Sequence, residues 1–136
     1  MAYINPEWYK QDEHARSLKV ADHVANYNDS IDRQIRIACI NGGIKTSEIP
    51  VDSNGFLTSD VLIHYGISLA IYEIFTGHWG IRATGGDRDI YDQKREDYAG
   101  RVSKAENLIS RTNVLGTDEE KIDDQNRAKL TSIPVV

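Results

Sequence analysis

The sequence predicts an all-α fold: a small bundle of about four helices, with a short hairpin-like turn before a central buried helix and an extended C-terminal arm. Three observations predict it. Residues 58–79, TSDVLIHYGISLAIYEIFTGHW, carry apolar side chains round nearly the whole helical wheel, at ~100° per residue, with His64, Ser68 and Glu73 as polar interruptions. Residues 29–43 and 87–112 carry apolar stripes at helical spacing, bounded by Asp, Ser and Gly residues of the kind that start and stop helices. Strand-like chemistry is confined to residues 44–58, where Pro50 and the Asn54-Gly55 pair separate short apolar runs.

At the start of the chain, Asn5 caps a helix with Pro6 at its first position and Glu7 in its first turn. It continues through Trp8, Tyr9 and Ala15 towards Val20 and Val24, making residues 1–28 an N-terminal helical segment. Asn26, Asn28 and Asp29 break it. Asp29 or Ser30 then caps DSIDRQIRIACINGG, with Ile31, Ile35, Ala38 and Cys39 on one face, Ile37 and Ile40 widening that face, and Gly42-Gly43 ending the helix. Residues 49–57 form a tight turn or miniature hairpin. VDSNGFLTSD has a superficial likeness to a calcium loop, but its glycine falls one position early and no glutamate closes it.

Thr58 or Ser59 caps the apolar helix. A bilayer span needs roughly 20 consecutive apolar residues, and Val61 to Phe75 is shorter and contains His64 and Glu73, so this is a core helix. Gly77 and Gly80 bracket its end, with Trp79 folded back on the last turn, and IRATGGDRD forms a loop. Asp87 or Asp89 starts a helix running to about residue 112, in which Tyr91, Tyr98, Val102, Ala105 and Ile109 make a stripe about 60° wide, narrow like a packing seam. Asp97 and Arg101 stand four apart on its exposed side. Arg95 intrudes on the stripe, and either faces a partner chain or reaches to water. Residues 29–116 thus make a helical core.

Beyond Gly116 the chain is polar and acidic, with Asp118, Glu119, Glu120, Asp123 and Asp124, and it closes on LTSIPVV. An exposed apolar cluster tends to mark a contact, so residues 117–136 read as a partner-binding arm. Its contact residues are Arg127, Leu130, Ile133, Pro134, Val135 and Val136, joined on the domain by Arg95, Trp8 and Tyr9. Such an end adds a strand to another chain's sheet, with Pro134 restricting which side donates hydrogen bonds; the competing reading is a frayed terminus.

At 136 residues the chain is one domain's length and supports one modest core. The single cysteine, Cys39, has no partner for an internal disulfide or a zinc site and reads as a small buried apolar residue. A net charge of −5 and a pI near 5.3 argue against a protein built to grip phosphates. No segment reads as a membrane span, and MAYINPEWYKQDEH lacks the basic start and apolar centre of a signal peptide, so the expected compartment is cytoplasmic. His14, His23, His64 and His78 are scattered, and Glu73 falls on the opposite helical face from His64. Gly42-Gly43 and Gly85-Gly86 lack the Lys-Ser/Thr of a phosphate loop. No catalytic, metal or cofactor set emerges, and the chain is read as a non-enzyme without a cofactor.

The stretch IPVDSNGFLTSDVLIHYGISLAIYEIFTG is similar to the Pro-x-Asp-x-x-Gly turn and following helix, ending in a tyrosine-containing segment, of the head-to-tail connector (adaptor) proteins of tailed bacteriophages. IYDQKREDYAGRVSKAENLIS likewise resembles the closing helix of related connector families, and together these cover roughly residues 29–112. The tyrosine segment here, Ile71-Tyr72-Glu73, runs into Phe75-Thr76-Gly77 where the family often has Asn-Arg. The resemblance implies a virion structural protein of the neck at the capsid vertex, assembled in the host cytoplasm. It implies a homo-oligomeric ring, usually a dodecamer, that joins the portal protein to the tail or next neck protein and passes DNA only as cargo. An acidic surface suits that passage, because like charge opposes phosphate adsorption. Two alternatives fit the same residues: a cellular helical module binding a partner helix through the Tyr91 to Ile109 face, and another phage neck or tail-completion protein.

Overall fold

The computed structural model describes residues 2–77 and 88–116, apart from the side chains of His14 and residues 88–91. The expected loop through Trp79, Gly80, Gly85 and Gly86, and the arm 117–136, lie outside the described residues. Within them the protein is a helical bundle, with α1 Glu13–Ser17, α2 Val20–Val24, α3 Asn28–Asn41, α4 Asp60–Phe75, α5 Arg88–Asn107 and α6 Arg111–Leu115.

The N-terminal segment opens as expected, with the Asn5 side chain accepting from the Glu7 amide at 3.0 Å and Pro6 in first position. The single helix expected to follow is instead three pieces: a 3-10 turn Pro6–Gln11, then α1 and α2. Asp12 leaves the helix with extended backbone and caps α1 through the Ala15 amide at 3.0 Å. Lys19 adopts a left-handed φ of 54°. A continuous helix would turn Ala15 about 120° away from Tyr9. The two breaks restore the register, and Tyr9, Ala15, Val20 and Val24 all enter the core.

α3 starts at Asn28 without a side-chain cap, not at Asp29 or Ser30. Residues 25–27 already form a 3-10 turn feeding into it, which puts Asp29 inside the first turn, where its charge suits the helix dipole. Ile31, Ile35, Ala38 and Cys39 are buried as expected. Ile37 and Ile40 do not widen that face; they point outwards. Gly42 ends the helix, its amide donating to the Ala38 and Cys39 carbonyls at 3.0 Å. A Cβ on Gly42 would stand 2.5 Å from the Ile109 carbonyl oxygen, so glycine is what allows residue 109 to pack there.

The hairpin-like turn reduces to one antiparallel bridge, Val51 to Leu57, around Asn54-Gly55. Asp52 closes it by accepting from the Asn54 and Phe56 amides at 2.8 and 3.0 Å, so the residue that suggested a calcium loop is a turn-former.

Ser59 stands at the cap position of α4 but makes no side-chain cap bond. Burial supplies the stability instead: each wholly buried Leu or Ile contributes about 1.5–3 kcal/mol, against about 1 kcal/mol for a cap. Leu62, Leu69, Ala70, Ile71, Ile74 and Phe75 are buried, with Val61, Ile63, Ile67 and Tyr72 partly so. α5 packs along α4, and Ile4 closes over the far side at Gly66. The Phe75 and Tyr98 rings stack at 5.7 Å, and the Tyr98 hydroxyl reaches Asp12 at 3.3 Å.

Tyr98, Ala105 and Ile109 are buried and Val102 partly so, as the seam predicts; the Tyr91 side chain lies outside the description. The helix expected to reach residue 112 ends at Asn107. Ser110, extended, starts α6 by accepting from the Asn113 amide at 3.2 Å, while Asn113 donates back to the Leu108 carbonyl at 2.7 Å. These side chains compete for the backbone groups that a continuous helix would use. The Arg101 guanidinium lies 4.5 Å over the Tyr98 ring, so its packing partner is aromatic.

Candidate partner-binding surfaces

Trp8 is half-buried, its ring edge-on to Phe56 at 6.0 Å, so one side remains open. Tyr9, the neighbour expected to share its surface, is only 1% exposed and offers a partner nothing. Among the described residues its buried hydroxyl has no hydrogen-bond partner. Burial, and then the Asp32 carboxylate, push its phenol far above its ordinary value. Arg95 is exposed and pairs with Asp92 at 3.2 Å, which accords with the reading that it reaches to water. Arg127, Leu130, Ile133, Pro134, Val135 and Val136 lie outside the described residues.

The start of the chain is pinned inwards. The Tyr3 amide donates to Asp32 Oδ1 at 3.0 Å, and its carbonyl accepts from the Leu57 amide at 2.8 Å. Ile4 is buried beside them. Asp32 is 6% exposed, and desolvation holds its carboxyl above the ordinary range in spite of the Tyr3 hydrogen bond. A polar-aromatic stretch that suggested an interface therefore contributes core.

The sequence reading missed the outer face of α3. Ile37 is 50% and Ile40 58% exposed. Each has an arginine four residues earlier, Arg33 and Arg36, on the same helical face. That arginine spacing was the available signal for a solvent-facing side. Leu108, 52% exposed, is adjacent in the chain to Ile109, which packs against Gly42 at the C-terminal end of α3.

The last described segment is clamped to that same end. Arg111 Nη1 donates to Glu48 Oε1 at 2.7 Å and to the Gly43 carbonyl at 3.3 Å. The Arg111 contact, with help from the Lys45 amide, holds the Glu48 carboxyl below its ordinary value. A pocket of about 160 Å³ lies beside Tyr9 and Val20, with Lys10, Arg16 and Lys19 at its edge. Lys10 already pairs with Glu7 at 3.1 Å, and Arg16 donates to the Lys10 carbonyl at 3.3 Å. Burial pushes the Cys39 thiol up to about 11, which keeps it protonated and apolar in character.

Among the described residues, no group of three or more His, Cys, Asp and Glu is placed to hold a metal ion, and no helix is long and apolar enough to cross a membrane. No protein-family model, curated protein or solved structure matches this chain.

Proposed function

We propose that the chain is a virion structural adaptor: a head-to-tail connector that assembles as a ring, a dodecamer in the simplest reading, between the portal and the tail or next neck protein. The observation that carries this reading is the order of elements that resembles the connector family. A Pro50-to-Gly55 turn leads directly into α4, and α4 lies along α5 as the spine of the domain. A spine with its apolar surface consumed internally is suited to staying rigid while other surfaces dock. The net charge of −5 suits a lumen through which DNA passes without adsorbing. Trp8 and the arm 117–136 are the docking elements in this reading. A ring needs two different surfaces on each subunit, and these lie at opposite ends of the sequence.

Removal of residues 128–136 from the purified protein tests it. The domain stays folded, because the described core is built from residues before 117, and docking onto the portal is lost. Normal docking by the shortened protein would contradict the role given to the arm.

A further inference from the structure

We propose that the outer face of α3 packs on the outer face of α5 of a second copy of this chain, the two helices parallel, with Arg33 at Glu96 and Ile37 at Gly100. On α3, Ile37 and Ile40 are 50% and 58% exposed, while Ile31 and Ile35 are buried on the opposite side. Arg33 shares the outer face and Arg36 flanks it, so the apolar pair stands beside two positive charges. On α5, Tyr98 and Ala105 are buried, and Glu96, Gly100 and Ser103 form an exposed face on the other side. Gly100 is a poor helix former inside a 20-residue helix, and a Cβ there would meet nothing within 4 Å, so no packing within the chain requires it. It leaves a notch. Glu96, Asp97, Arg101 and Lys104 line the shallow depression round it.

The spacings of the two faces match. Arg33, Ile37 and Ile40 follow one another at four and then three residues, as do Glu96, Gly100 and Ser103. In the parallel register Arg33 meets Glu96, Arg36 stands beside Asp97, Ile37 enters the notch and Ile40 lies over Ser103. An antiparallel pair with Ile37 at Gly100 would set Arg33 against Lys104 and Arg36 against Arg101, a clash of like charges. Asp29 and Asp92 come to one level in the parallel pair, but Asp92 is held by Arg95 at 3.2 Å. A second copy is required, because α3 and α5 both turn their buried sides to α4, and Arg33, Ile37, Ile40, Glu96 and Gly100 are all exposed within one chain. The two faces differ, so the contact is heterologous, and its repetition gives a ring or a filament. This goes beyond the connector reading: it needs no portal and uses neither Trp8 nor the arm.

The test is sedimentation of the full-length protein from about 0.01 to 1 mM, where the wild type should associate as concentration rises. Arg33→Glu should weaken association at least roughly tenfold, and Arg33→Glu with Glu96→Arg in the same chain should restore it. Gly100→Gln fills the notch with a good helix former, so it should block association while the helical circular dichroism is kept. The double variant Ile37→Asp, Ile40→Asp keeps an intact α5 face, and Gly100→Gln keeps an intact α3 face. Mixed, these two proteins should form one-to-one complexes that grow no further. A wild type that stays monomeric over the whole range would overturn the proposal, even where assembly then appears on adding portal. Association that survives Gly100→Gln, or a charge swap that fails to restore it, would overturn it equally.

Discussion

Asp32 shows how one residue joins the start of the chain to the core. It accepts from the Tyr3 amide while nearly out of water, and desolvation raises its carboxyl. Its charge therefore opposes folding at neutral pH, an opposition relieved as pH falls through the raised value. Asp32→Asn keeps the acceptor oxygen and removes the charge, and should change stability by less than about 1 kcal/mol. Asp32→Ala leaves the Tyr3 amide without its acceptor and should cost about 1–3 kcal/mol. Urea unfolding of the two variants at pH 7 checks this, and equal losses would show that the charge, not the acceptor, matters.

The buried tyrosines give the alkaline counterpart. Burial first, with neighbouring acids, pushes Tyr65 and Tyr98 up to about 12, and Tyr9 higher still. Above pH ~10 the unfolded chain loses phenolic protons that the folded chain retains, so stability falls steadily as pH rises towards 12. Ultraviolet titration should show part of the seven tyrosines ionising late and together with unfolding. Simultaneous ionisation of all seven with the helices intact would contradict the burial assigned to them.

Among the elements, two helical glycines make opposite predictions. A Cβ on Gly66 of α4 would stand 2.7 Å from Ile4 Cδ1, whereas one on Gly100 of α5 meets nothing within 4 Å. Gly100→Ala should stabilise by about 1 kcal/mol through helix propensity. Gly66→Ala should destabilise by about 1–3 kcal/mol, since Ile4 must leave its site. Thermal unfolding of both variants measures the difference, and a shift of the same sign in both would refute the packing of Ile4 under α4.

The helices themselves were legible because periodicity reports burial: α4, the buried face of α3 and the Tyr98 to Ile109 seam all follow their apolar spacing. The breaks were less legible. The left-handed Lys19 and the Ser110 cap depend on which side chain wins a local backbone hydrogen bond, and tertiary packing decides that. The inward turn of Tyr9 and the outward turn of Ile37 and Ile40 escaped for a related reason. An apolar residue at a helical position states that it can be buried, not that a neighbour arrives to bury it.

For the whole molecule, one core links the N-terminal segment, α3, α4 and α5, and the connector reading proposes partner contacts on residues outside that spine. The connector reading requires that these contacts make an assembly. The most direct measurement is electron microscopy with light scattering of the purified full-length protein, alone and mixed with portal. The connector reading predicts rings, or assembly that appears when portal is added. A strict monomer indifferent to portal would contradict it.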